Sequence, residues 1–118
     1  MQPDKRDASY LWDMLEAARQ VMGFTRGVSL AEYSDKPMLY LAVERAIQII
    51  GEAANRVSLG FQQAHPEIPW RKIVSQRNVL VHEYGAVEHA LVWDLVQEHL
   101  PRLVQQLEEL VPPPPPEI

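Results

Sequence analysis

The chain contains no cysteine. That excludes disulfides, thiol catalysis and zinc sites built on thiolates, and it fits a cytoplasmic protein. No stretch approaches the roughly 20 unbroken apolar residues of a membrane span, so no membrane association is expected. The opening MQPDKRDASY is polar and has no apolar run behind its charges, unlike a signal peptide. Glycine is scarce, with five in 118 residues, and no glycine-rich phosphate loop is present. The chain itself is therefore not expected to bind ATP, and no cofactor is expected. Positive charge is also in deficit: 11 Lys and Arg stand against 16 Asp and Glu, for a formal net charge of −5. That disfavours a protein that coats nucleic acid through a general positive field, while leaving room for an enzyme that touches only a few phosphates. Strand-type alternation and internal repeats are absent.

What is present is helical spacing, in a chain of single-domain length that is 47% hydrophobic. Tyr10, Met14, Ala18 and Val21, with Leu11, Leu15 and Met22 beside them, form one stripe, predicting a helix from near Asp7 to Gly23. Ser29-Leu-Ala-Glu32 has the pattern of a short capped turn. Ser34 or Asp35 then caps a second helix with Pro37 in its first turn. Leu39, Val43, Ile47, Ile50, Ala54 and Val57 run along one face of that helix, and Arg45, Glu52 and Arg56 mark others. The helix is expected to stop near Gly60, and Pro66 and Pro69 make Phe61 to Pro69 a connector. A third helix begins at Pro69 or Trp70 and ends at Gly85. A fourth runs from about Val87 to Leu110, kinked or broken at Pro101. The expected architecture is an all-α bundle of four to five helices over residues 1–110, followed by a proline-rich tail at 111–118.

Polar chemistry concentrates in Arg77-Asn78-Val79-Leu80-Val81-His82-Glu83-Tyr84-Gly85. At about 100° per residue, Arg77 falls in line with Tyr84 and Asn78 with His82, in adjacent rows. From spacing alone, this cluster reads first as a solvated or satisfied polar face and only second as a site. The residue types nevertheless suit metal-free RNA cleavage, in which the 2′-hydroxyl attacks the adjacent phosphate. That reaction needs a base, an acid and cations around the phosphate. Imidazole serves either proton role, and guanidinium forks onto two phosphate oxygens. One chain offers a single histidine here, so acid plus base would call for a second copy, most simply in a symmetric dimer.

The run Arg77-Asn78-x-x-x-His82-x-Tyr84 resembles the signature of the HEPN superfamily, and Tyr two places after His resembles its HepT branch. Lys5-Arg6-Asp7, Ala42-Val43-Glu44-Arg45, Ile50-Gly51-Glu52 through Arg56, His65-Pro66-Glu67-Ile68-Pro69-Trp70, and Val92-Trp93-Asp94 to Leu100-Pro101 extend the likeness over about residues 5 to 110. The resemblance implies a HEPN-like helical dimer whose paired motifs form an RNA cleft. It further implies a metal-independent ribonuclease toxin with a small MntA-like nucleotidyltransferase as antitoxin partner, which transfers AMP onto the motif tyrosine. By position, Arg77 and His82 would be catalytic, Asn78 supporting and Tyr84 the modified residue. AMP on Tyr84 would bring phosphate charge in line with Arg77 and block the cleft.

Glu52 and Arg56, four apart, read first as a local ion pair and second as cleft lining. Arg71 and Lys72 read as RNA-phosphate contacts or ordinary surface cations. His82-Glu83 begins a zinc motif that Ala86 ends, and His89 and His99 are out of line, so no metal is expected. His65 belongs to the connector. Trp12, Trp70 and Trp93 are read as core or interface anchors. Three functions compete: a ribonuclease, a non-catalytic subunit that docks a nucleotidyltransferase, and a plain helical interaction domain.

Overall fold

A computed structural model describes residues 3–75 and 86–112, with the backbone only for residues 86–88. Among the described residues every regular element is helical. The order is α1 (Lys5–Thr25), α2 (Leu30–Asp35), α3 (Pro37–Arg56), α4 (Leu59–Ala64), α5 (described over 70–75), α6 (Ala86–Asp94), a π-turn at Leu95–His99, and α7 (Leu100–Leu110). The all-α bundle expected from the sequence is what the chain forms.

α1 packs along α3 and against α7. Most of its stripe is buried as expected, with Leu11, Met14, Leu15, Ala18 and Val21 closed to solvent, while Tyr10 and Met22 are only partly buried. The helix begins earlier than Asp7, because Asp4 caps it by accepting the Asp7 N–H at 2.7 Å. Among the described residues, two side-chain contacts join α1 to α7 and the residues just after it. Trp12 Nε1 donates to the Pro112 carbonyl at 3.1 Å, and Arg19 meets Glu108 at 2.7 Å. The ion pair is half exposed and contributes at most about 1 kcal/mol. Burial of Leu107 and its neighbours, at about 1.5–3 kcal/mol per large apolar side chain, does more to hold α7 in place.

Ser29 forms the anticipated capping box with Glu32, but the turn continues as a six-residue helix, α2. Neither Ser34 nor Asp35 caps the next helix. Both belong to α2, and Lys36 takes the N-cap position of α3 without a side-chain bond. Pro37 at the first position suffices there, since its absent N–H would have had no helical partner.

α3 buries Val43, Ile47, Ile50 and Ala54 along the predicted face. It ends at Arg56, not near Gly60, which lies inside α4. The Val57 N–H closes on the Ala54 carbonyl at 3.3 Å, and Gln62 Nε2 from α4 adds bonds to the carbonyls of Ala54 at 3.2 Å and Val57 at 2.8 Å, so side-chain donors help satisfy the end of the helix. The expected connector is therefore half helical. Its remainder is held by Trp70 Nε1 donating to the His65 carbonyl at 2.9 Å and by burial of Ile68.

The predicted long last helix is continuous rather than broken at Pro101, and departs from regular α form in a π-turn just ahead of it. Leu100 N–H bonds the Leu95 carbonyl, five residues back. Pro101 has no N–H for the Gln97 carbonyl, and its ring disfavours regular helix at His99 and Leu100. The widened turn absorbs both effects, and Pro101 then sits in the first turn of α7. Leu91, read as part of the stripe, is 58% exposed, whereas Val92 and Val96 are buried. No helix among the described residues is long and apolar enough to cross a membrane. Beyond Pro112 the proline-rich tail lies outside the described residues.

Candidate active site

Arg77, Asn78, His82 and Tyr84 all lie outside the described residues. The structure describes what brackets them. On the N-terminal side, Pro69 opens α5, with Ile73 N–H bonding the Pro69 carbonyl at 3.0 Å. Trp70 and Ile73 are buried, and Arg71 and Lys72 are exposed. α5 is thus anchored on its apolar side and carries its cations outward, six and five residues before Arg77.

On the C-terminal side, α6 packs on α2. His89 lies against Tyr40 with ring centroids 4.2 Å apart, and 5.9 Å from Tyr33. Tyr33 also meets Trp93 at 5.1 Å. Tyr33 is closed to solvent, and among the described residues its hydroxyl and His89 Nδ1 are buried without a hydrogen-bond partner. Burial, with the nearby negative charge of Glu44 second, pushes the Tyr33 hydroxyl pKa well above the usual tyrosine value. This aromatic cluster fixes the helix that follows the motif. The sequence reading missed it, because Tyr33, Tyr40 and the His89–Trp93 pair come from three separate elements.

Glu52 does not make the expected pair with Arg56. Its carboxylate lies 3.8 Å from Arg45, seven residues earlier on the same face, and Arg45 also donates to Gln48 at 3.4 Å. Seven residues are about two helical turns, so these long side chains meet along the outer face of α3. Both are about half exposed. The sequence reading placed Arg45 on another face and missed this pairing, for which the seven-residue spacing was the available signal.

A groove of about 250 Å³ opens between α3, α5, the π-turn and α7. Ile50, Ile73, Leu95 and Leu103 form part of its apolar wall, with Lys72, His99 and Arg102 among its polar lining. His65, placed in the connector as expected, stacks on Phe61 at 4.4 Å and lies 3.4 Å from Glu67.

Comparison with known proteins decides the family. The model of the family described as ribonuclease HepT-like matches residues 14–110. This chain belongs to the HepT-like family. Within that HEPN-type family, it is 36% identical over 105 residues to a provisionally named RNase of Methanocaldococcus jannaschii, covering 88% of this chain and 96% of the relative. It is 37% identical over 101 residues to a provisionally named ribonuclease HepT of Thermococcus cleftensis, covering 86% and 92%. A provisionally named RNase of Caldanaerobacter subterraneus is 29% identical over 107 residues, covering 91% and 96%. No solved structure matches the chain at a comparable level of significance.

Proposed function

We propose that this HepT-like protein is a metal-independent endoribonuclease, with Arg77 and His82 as catalytic residues and Asn78 supporting them. The observation that carries the reading is the family match over residues 14–110, which spans the Arg77 to Tyr84 run and reaches relatives named as RNases. The chemistry is transesterification. The 2′-oxygen forms a bond to the adjacent phosphorus and gives its proton to a base. The bond from phosphorus to the 5′-oxygen breaks, and that oxygen takes a proton from an acid. The products are a 2′,3′-cyclic phosphate and a 5′-hydroxyl. His82 supplies one proton-transfer role, and His82 of a second copy supplies the other in a composite dimer site. Arg77 binds the phosphate as charge builds on its oxygens. Asn78 orients the imidazole or bonds the phosphate. Glu52 and Arg56 line the cleft.

The same reading makes the protein the toxin of a toxin–antitoxin pair in the cytoplasm. An MntA-like nucleotidyltransferase silences it: the Tyr84 oxygen attacks the α-phosphorus of ATP, pyrophosphate leaves and AMP remains on the ring. The added phosphate then occupies Arg77 in place of RNA.

The test is RNA cleavage in EDTA by wild type and by His82→Ala. Cleavage by wild type alone, with cyclic phosphate ends, supports the reading. A wild type shown by intact mass to be free of AMP, yet inactive, supports the alternative of a non-catalytic subunit that docks the nucleotidyltransferase.

A further inference from the structure

The groove beside α5 has features that the proposed chemistry at Arg77 and His82 does not use. Its walls come from four elements, and the π-turn contributes two residues, Leu95 and His99. Wide helical turns of this kind frequently occur at functional sites. The apolar side is aliphatic, and Leu95 is only partly buried, so the surface is open to a flat ligand. Lys72 and Arg102 approach it from α5 and α7, both exposed and neither in an ion pair among the described residues. Glu67, the carboxylate on the rim, is engaged by His65 at 3.4 Å. The concavity thus combines an apolar surface with two uncommitted cations, although the chain as a whole carries a formal charge of −5.

We propose that this groove is a subsite for single-stranded RNA, taking one unstacked base against Leu95, Ile73 and Leu103 while Lys72 and Arg102 hold the adjoining phosphates. The inference rests on the ribonuclease reading and extends it to strand binding away from the cleaved bond. Single strands are gripped in this way: base faces lie on apolar or aromatic surface, and cations follow the backbone. The groove's volume of about 250 Å³ suits one flat group rather than a peptide helix. Sequence position favours the same strand, since Lys72 lies five residues before Arg77.

The test is fluorescence anisotropy with the full chain and a labelled, 2′-O-methyl single strand of about 12 nucleotides, which binds but lacks the attacking hydroxyl. The double variant Lys72→Gln, Arg102→Gln is compared with Arg6→Gln, Arg26→Gln, which changes charge equally at residues outside the groove lining. The groove variant should bind several-fold more weakly, and the slope of log affinity against log salt should fall by about 1.4, two single-strand phosphate contacts. The control should keep the wild-type affinity and slope. Leu95→Asn should weaken binding with the slope unchanged. Equal losses in both double variants would mean that only net charge matters and would overturn the subsite. So would an unchanged groove variant, or one that alters sedimentation instead of RNA affinity, since a second copy would then be the occupant. Wild type that cleaves RNA while the groove variant binds normally would overturn the subsite alone. Wild type that neither binds nor cleaves would overturn the ribonuclease reading and the subsite together.

Discussion

Asp7 and Ser58, 51 residues apart, are joined by two hydrogen bonds: the Ser58 N–H donates to Asp7 Oδ1 at 2.9 Å and its hydroxyl to Oδ2 at 2.6 Å. Ser58 Oγ in turn accepts the Phe61 N–H at 3.3 Å. One buried carboxylate on α1 thereby fixes where α3 stops and α4 starts. Asp7→Ala should destabilise the fold by about 2 kcal/mol, because it removes charge-assisted bonds and leaves a backbone donor near the core unpaired. Urea unfolding measures this, and a loss below about 0.5 kcal/mol would show that water replaces the carboxylate.

Tyr33 gives the opposite expectation. Its hydroxyl is buried with no partner among the described residues, so Tyr33→Phe should leave stability unchanged or raise it by up to about 1 kcal/mol. Tyr33→Ala should cost about 3–5 kcal/mol through the cavity left among Tyr40, His89 and Trp93. Thermal unfolding of the two variants separates ring from hydroxyl.

The same residue predicts a pH effect. The folded-state pKa of Tyr33 is raised, so the unfolded chain gives up this proton first. Its contribution to stability is complete below about pH 10, the ordinary tyrosine value, and is lost as pH rises above it. Wild type should therefore lose stability relative to Tyr33→Phe between about pH 10 and 11.5. Parallel curves for the two proteins in denaturant titrations would contradict this.

Glu52 separates structure from function. Its pair with Arg45 is about half exposed, so Glu52→Gln should change the unfolding free energy by less than about 1 kcal/mol. If Glu52 lines the RNA cleft, the same substitution should lower the rate of cleavage several-fold with KM or kcat moving alone. An unaltered rate would leave Glu52 a surface residue of α3.

Tyr84→Phe tests the proposed silencing. The variant should cleave RNA as wild type does, gain no mass when incubated with an MntA-like nucleotidyltransferase and ATP, and stay active afterwards. Modification of the variant would place the AMP on another residue.

The sequence by itself determined the helical class, most of the buried faces of α1 and α3, and Pro101 as the cause of an irregularity in the last helix. These follow from local rules: apolar residues recur at steps of three and four, and proline lacks a donor wherever it occurs. The likeness to HepT proteins was legible too, because it rests on residue types in order, and the candidate catalytic residues were named from that order alone. Only the tertiary structure decided that α3 ends at Arg56, that Glu52 turns to Arg45, and that Tyr33, Tyr40, His89 and Trp93 form one cluster. Each of these depends on which groups meet across elements, such as Gln62 reaching the end of α3 or Asp7 reaching Ser58. Local propensities are worth tenths of a kcal/mol per residue, and a buried hydrogen bond from a distant side chain is enough to override them.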